Sequence, residues 1–377
     1  MHKVTFYPLG NADCCKIDLK NGRKILFDYA QTRSSEDETD PRIDLAKTLR
    51  EDLENENRKN FDVVAFTHAD KDHICGFSDF FYLEHAAKYQ DNKRIKIETL
   101  WVPAAIILEE GLRNEARILR SEARHRLIKG KGIRVFSKPE KLKDWLEENS
   151  ITLDSRRHLI TDAGQIVPGF ALAKDGVEFF CHSPFIKHVD EGEDMRNAAA
   201  LIFNVRFKVD TSTFDFLAVG DSQWDVMEDI VQITKNHGND DRLEWDLYNI
   251  PHHCSYLALS DDKGKTETTP KPLIEDLLLS GKEGAYIVSS SDPIEDSEEG
   301  RKQELPPHIQ AKKCYERFLK RIEGAKFLVT MEEPNKDKPE PLIFKIESEG
   351  ITIGNKVIAS GISIISSKPA PRVGRAG

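Results

Sequence analysis

Cysteine is scarce in this chain. Six residues, Cys14, Cys15, Cys75, Cys181, Cys254 and Cys314, are scattered over 377 positions, and no two form a Cys-X-X-Cys pair. That count and spacing exclude a disulfide framework and leave reduced, partly buried thiols as the reading. No window approaches the roughly 20 apolar residues that a membrane helix needs. The opening Met1-His2-Lys3-Val4-Thr5-Phe6 enters strand-like alternation at once, without the basic and apolar regions of a signal peptide. A cytoplasmic protein without membrane association is therefore expected. Positive charge is also in deficit, with 55 Lys and Arg against 65 Asp and Glu, for a net charge of −10. This excludes a protein that coats nucleic acid, because neutralising phosphates requires Lys and Arg. Any nucleic-acid contact must be a confined patch.

The composition is otherwise that of a soluble protein, with 39% hydrophobic and 32% charged residues and a mean hydropathy of −0.52. The length suffices for a large core in one elaborated domain or two. The densest chemistry follows the apolar run Val63-Val64-Ala65-Phe66, which reads as a buried strand. Directly after it, His68, Asp70, Asp72 and His73 fall within six positions, where a loop at a strand end can turn all of them toward one point. Either this is a solvated charged loop or it is a metal site. Two imidazoles and two carboxylates packed between an apolar strand and Gly76 favour a metal, since buried charge needs such a partner.

The remaining chain alternates strands and helices. Residues 3–30 read as paired hairpins with turns at Gly10–Asp13 and at Asn21-Gly22, the latter a strong hairpin signal. Residues 41–59 carry Ile43, Leu45, Ala46, Leu49 and Leu53 at helical spacing, and Phe77–Leu83 reads as an aromatic helical run. A strand over Ile97–Pro103 precedes a helix over Ile106–Leu127 with the stripe Ile106, Leu108, Leu112, Ala116, Leu119, Ala123 and Leu127. On that helix Arg113, Arg117, Arg120 and Arg124 share one face. They can track phosphates, or they can be a solvated face paired with nearby acids such as Glu115 and Glu122. Further β character is expected at Leu159–Ile166, Phe170–Leu172 and Val177–Ser183, then in a two-strand unit over 197–207 and 214–221. Strands at Leu247–Ile250 and Ala285–Ser291, a helix at Ile309–Ile322 and closing strands within 325–365 complete the core. Residues 366–377 lack a core pattern and are expected to be a disordered tail.

Thr67-His68-Ala69-Asp70-Lys71-Asp72-His73 resembles the signature loop of the metallo-β-lactamase superfamily, His-X-His-X-Asp-His, with Asp70 where the second His stands. This variant resembles the hydrolase domain of the bacterial DNA-uptake channel ComEC and its soluble relatives, which carry His-X-Asp-X-Asp-His. An anionic oxygen in place of a nitrogen shifts preference toward harder ions such as Mn²⁺. Other segments are similar to the same family. Asp13 and Asp28 match its opening aspartates, bracing the site floor, with Asp28 supporting the ligands from behind; a plain turn role is equally open for Asp13. His182, at a strand end before Pro184, matches the third ligand of the first metal, with a histidine satisfied by backbone as the alternative. Asn197–Leu201 and Leu217–Asp221 look like "Asn-X-X-Ser-Leu" and "Leu-Leu-X-Gly-Asp", and the resemblance gives Asp221 the role of the metal-bridging carboxylate. Pro251-His252-His253-Cys254-Ser255 matches "Pro-His-His-Gly-Ser", with Cys254 in place of Gly. The resemblance implies that one of its histidines is a ligand and the other a proton donor to the leaving oxygen. His308, after Pro306-Pro307, matches a late site residue, though the same surroundings suit a plain helix start.

The resemblance implies an α/β fold, a four-layer αββα metallo-β-lactamase sandwich over residues 1–365 with a helical insertion at about 85–155. It implies two divalent ions, Zn or Mn, on His68, Asp70, Asp72, His73, His182, Asp221 and His253. Asp72, His252, His253 and His308 are the candidate catalytic groups. The expected activity is metal-dependent hydrolysis by a bridging hydroxide, foremost of a phosphodiester in nucleic acid or a nucleotide. Ester, thioester or amide hydrolysis is the alternative, and a non-catalytic metal-binding component of an assembly is a third reading.

Overall fold

The Asn21-Gly22 turn is set by backbone: Gly22 stands at φ 85°, a conformation that favours glycine. In the computed structural model, which describes residues 1–185 and 195–354, this turn joins β2 (Cys15–Asp18) to β3 (Lys24–Phe27), and β2 also pairs antiparallel with β1 (His2–Phe6). Connections then become crossovers. A helix at Leu45–Asn55 leads to β4 (Asn60–Ala65), which lies parallel to β3. Asp44 caps that helix by accepting from the Lys47 N–H at 3.0 Å, and Leu45, Leu49 and Leu53 bury one face of it. β5 (Phe81–Tyr82), β6 (Ile95–Pro103), β7 (Ile133–Phe136) and β8 (Ile160–Thr161) extend the sheet in parallel.

A second sheet is built from β9 (Val177–Ser183), β10 (Ile202–Val209), β11 (Ser212–Val219), β12 (Trp245–Asn249), β13 (Gly281–Ser289) and β14 (Lys326–Val329), neighbours in that order. β9, β10 and β11 are antiparallel, whereas β11 to β14 run parallel. The chain then returns to the first sheet with β15 (Leu342–Glu347) and β16 (Gly350–Gly354), β15 pairing with β1.

Alternation along the central strands sorts side chains between two cores. In β3, Ile25 and Phe27 enter the space between the sheets while Leu26 points outward. In β6, Trp101 goes in while Leu100 and Val102 go out. In β12, Leu247 goes in and Tyr248 out. Strands covered on both faces need apolar residues at every position, which is why they read as continuous hydrophobic runs. Outside the first sheet, Leu119 and Leu127 from the helix Asn114–Lys129 join Leu45 and Leu49. Outside the second lie Met227 and Ile230 (helix Trp224–Asn236), Leu277 (Pro272–Leu279) and Phe318 (Ile309–Arg321). The result is the helix–sheet–sheet–helix order expected from the sequence.

Four sequence expectations are revised. The helix over 106–127 is two helices, Ala104–Leu108 and Asn114–Lys129, separated at Gly111, whose φ of 72° lies outside the helical region. The expected stripe nonetheless stays in one core, except for half-buried Leu108 at its edge. The strand at 159–166 shrinks to Ile160–Thr161 plus an isolated bridge from Ile166 to Phe180, and Leu172 opens a short helix, Leu172–Asp175. Residues 85–155 contribute β6, β7 and covering helices to the first sheet. The expected tail at 366–377 lies outside the described residues, as does the strand pattern beyond 354. Among the described residues, no helix is long and apolar enough to cross a membrane.

Candidate metal centre

Parallel strands share a direction, so their carboxyl ends gather along one edge of each sheet, where loops can converge. The loop after β4 carries His68, Asp70, Asp72 and His73. Asp28 follows β3, Asp221 follows β11, His252 and His253 follow β12, and Ser290 follows β13. The turn between β1 and β2 brings Asp13 to the same edge, its N–H donating to the Asp72 carbonyl at 3.0 Å.

Asp13, His73, Asp221 and His253 each point one ligand atom into a common space, all within 4.8 Å of one another. His73 Nε2 lies 3.3 Å from Asp221 Oδ1 and 3.8 Å from Asp13 Oδ2; His253 lies 3.7 Å from Asp221 Oδ2 and 3.6 Å from Asp13 Oδ2. Although 3.3 Å apart, His73 Nε2 and Asp221 Oδ1 are both buried and without an aligned hydrogen-bond partner, as is His68 Nε2. Buried polar atoms are normally satisfied, so atoms that approach each other without bonding are ones that could hold an ion between them. His68 and Asp70 form an adjoining lobe: Asp70 Oδ2 is 3.7 Å from His68 Nε2, and the His68 and His73 rings are 4.0 Å apart. Imidazole and carboxylate in this mixture fit a divalent transition metal.

The ligands are held from behind. Asp28, itself at φ 56°, accepts from the Thr67 N–H and Oγ1–H at 2.7 Å each and lies 2.8 Å from His73 Nδ1, which leaves Nε2 facing the site. His253 is turned by the Ser290 carbonyl at 2.7 Å from Nδ1 and reaches Asp72 Oδ2 at 3.0 Å through Nε2. His252, His253 and Cys254 stand at φ 53°, 50° and 63°, three consecutive side chains in the left-handed region. Each such position costs on the order of 1–3 kcal/mol. The turn is held by the His308 N–H, which donates to the Cys254 carbonyl at 3.0 Å.

Not every expected site residue arrives. His182 does not join the cluster: Cys181 occupies the inter-sheet core, so alternation along β9 sends His182 to the opposite face. There Nε2 lies 3.0 Å from the Arg242 carbonyl and Nδ1 3.2 Å from Thr234 Oγ1. His308 turns away too, its Nδ1 accepting from the Tyr256 N–H at 3.4 Å and its Nε2 lying 3.2 Å from the Glu304 carbonyl. It braces the 252–256 turn. His252 lies beside His253 with ring centroids 6.3 Å apart, and its Nδ1 is buried without a partner. Asp13, from the turn between β1 and β2, is brought into the group that could hold a metal ion. Its signal in the sequence was its match to a family aspartate, which spacing alone did not distinguish from turn chemistry.

The arginine face divides as well. Arg120 donates to the Glu109 carbonyl and the Glu110 carboxylate, and Arg124 to the Ile107 carbonyl and Glu110. Their partner is Glu110; Glu115 instead accepts from Ser78, and buried Glu122 pairs with Arg126. Arg113 and Arg117 are exposed, at the helix end that Glu115 ties to the segment after the ligand loop.

Charge couples these groups. Burial opposes protonation of His253, but Asp221, the hydrogen bond to Asp72 and Asp13 raise it to about 9; Asp221 and Asp28 likewise hold His73 well above its ordinary value. Burial and neighbouring His73 lower His68. Burial would raise Asp72, yet His253 and His73 bring it to about 2. A raised folded-state pKa stabilises the metal-free fold below the unfolded value and is lost as pH rises through the folded value. Metal-free protein is therefore expected to melt several degrees lower at about pH 9.5 than at about pH 7. Saturating Mn²⁺ reverses that order in the same calorimetry, because a ligating imidazole must shed its proton. A melting temperature of the metal-free form that is flat or rising over this window contradicts the assignment.

No family model matches the chain, and no curated protein matches it in sequence. Among solved structures, the metallo-β-lactamase fold protein YhfI from Bacillus subtilis matches at 9% identity over 92% of this chain and 100% of its own, with a TM-score of 0.40. A diphosphatase from the PhnP family matches at 12% identity over 82% of this chain and 94% of its own, with a TM-score of 0.31. The metallo-β-lactamase GOB-18 from Elizabethkingia meningoseptica matches at 12% identity over 85% and 89% of the two chains, with a TM-score of 0.32.

Proposed function

We propose that this protein is a metal-dependent hydrolase of the metallo-β-lactamase type, acting on a phosphodiester in nucleic acid or a nucleotide. The observation that carries this reading is the convergence of Asp13, His73, Asp221 and His253, in which His73 Nε2 and Asp221 Oδ1 are buried without a hydrogen-bond partner. These groups, with His68 and Asp70, would hold divalent ions, which would supply Lewis acidity toward a phosphoryl or carbonyl oxygen. The chain's own residues do the rest. Asp28 and the Ser290 carbonyl fix the two ligand histidines, and the inter-sheet core beneath excludes water from one side. In this reading His252, half-buried with an unpartnered Nδ1, hands a proton to a leaving oxygen.

The ester, thioester or amide alternative gains one observation: two of the four arginines expected to track phosphates are bound to Glu110 instead. A single experiment separates the readings. Mn- and Zn-loaded protein is screened on a model phosphodiester, single- and double-stranded nucleic acid and a model carboxylic ester, beside Arg117→Glu and Arg124→Glu. Under the phosphodiesterase reading, Arg117→Glu lowers nucleic-acid turnover roughly tenfold and spares the small phosphodiester, since one phosphate contact has gone. Arg124→Glu lowers stability as well, by about 1–3 kcal/mol, because the Ile107 carbonyl and Glu110 lose their donor. Turnover of the carboxylic ester alone, unaffected by Arg117→Glu, establishes the alternative.

A further inference from the structure

With His182 on the far face of its strand, the lobe formed by His68 Nε2 and Asp70 Oδ2 has only two protein donors assigned to it. A catalytic transition-metal site ordinarily has three. One further buried oxygen, in the segment that leads to Leu201, meets no hydrogen-bond partner among the described residues: the side-chain oxygen of Asn197, Oδ1. Asn197 lies in the short helix Met195–Ala198, and its own carbonyl accepts from Ser222 Oγ at 3.1 Å, one residue past Asp221. Four residues on, the Leu201 N–H donates to the Thr67 carbonyl at 3.0 Å, one residue before His68. Gly220 makes this approach possible, since a Cβ there would meet Ala200 Cβ and Thr67 Cβ at 3.1 Å each. Asn197 is thus tied on one side to the residue after Asp221 and on the other, through Leu201, to the residue before His68.

We propose that the Asn197 side-chain oxygen is the third protein ligand of the His68–Asp70 lobe, in the place the sequence had offered to His182. The inference rests on the metal-centre reading. It also carries a preference: with Asp70 and Asn197, that lobe has two oxygen donors and one nitrogen, a set suited to a harder ion such as Mn²⁺ rather than to zinc. The other lobe, with two imidazoles, is less selective.

The test counts ions and measures their affinities on the full chain, independently of activity. Wild type, Asn197→Leu, Asn197→Asp and His182→Gln are stripped, titrated with Mn²⁺ in a calorimeter, and analysed for bound metal after removal of excess; circular dichroism and melting of the stripped proteins check the fold. The proposal expects wild type and His182→Gln to hold two ions. Asn197→Leu retains one ion and weakens the other at least about tenfold, the lower end of what losing a supporting group costs a metal site. Asn197→Asp, an anionic oxygen at the same place, keeps two ions and tightens the weaker one. Two ions at wild-type affinities in folded Asn197→Leu overturn the proposal while leaving the metal centre intact. Should Asn197→Leu fail to fold, an unchanged isotherm in Asn197→Asp overturns it. Wild type that binds no metal removes the metal-centre reading, and the proposal with it.

Discussion

Asp221→Ala is expected to lose stoichiometric metal binding and to lower hydrolytic turnover on the order of 10³-fold. Asp221 is 4% exposed and its two oxygens face His73 at 3.3 Å and His253 at 3.7 Å; Asp13 also approaches both histidines, but Asp221 lies nearer to His73. Charge stabilisation by a metal centre is worth several kcal/mol, and about 4 kcal/mol corresponds to about 10³ in rate. The same substitution acts on the metal-free protein. Burial alone would raise the Asp221 carboxyl, but His73 and His253 hold it well below the ordinary range, and it in turn keeps both imidazoles charged. Removing it leaves buried cations with fewer partners, so the stripped variant should melt below stripped wild type at about pH 7 and approach it as the histidines deprotonate. Metal analysis, steady-state kinetics and calorimetry read the three effects separately. Full metal content and wild-type turnover in the folded variant would exclude Asp221 from the centre.

Trp101→Ala is expected to destabilise the fold by about 3–5 kcal/mol without touching any proposed ligand. Trp101 is 1% exposed, toward the carboxyl end of β6 and between the sheets. Its ring centroid lies 5.5 Å from Phe136, 5.8 Å from Phe170, 5.3 Å from Phe179 and 5.7 Å from Phe203, mostly edge to face. These partners come from both sheets and from the connection between them, so no single neighbour can move into the space without unpacking another. Denaturant unfolding of the variant measures the loss. A change under about 1 kcal/mol would mean that the sheets repack around the deletion.

How far the sequence could be read depended on whether a signal was local. The run Val63–Phe66 followed by His68, Asp70, Asp72 and His73 was legible because strand, turn and ligands occupy one continuous stretch. Asn21-Gly22 fixed a hairpin for the same reason. His182 misled because a histidine at the end of an apolar strand looks the same whichever face it takes, and a shift of one residue reverses the face. The arginine periodicity was real, but it could not reveal Glu110, which reaches Arg120 and Arg124 only because the chain breaks at Gly111.

By itself, then, the sequence determined the α/β class, the alternation of layers and the ligand loop, since propensity, hydrophobic period and a dense motif act over a few neighbouring residues. Tertiary structure alone decided which distant groups share a point. It brought Asp13, Asp221 and His253 to His73, turned His182 and His308 away, and set Asn197 beside Ser222. The physical reason is that ligand geometry depends on the direction in which each strand end projects its side chain, and that direction follows from sheet pairing and register across the 181 positions that separate Asp72 from His253.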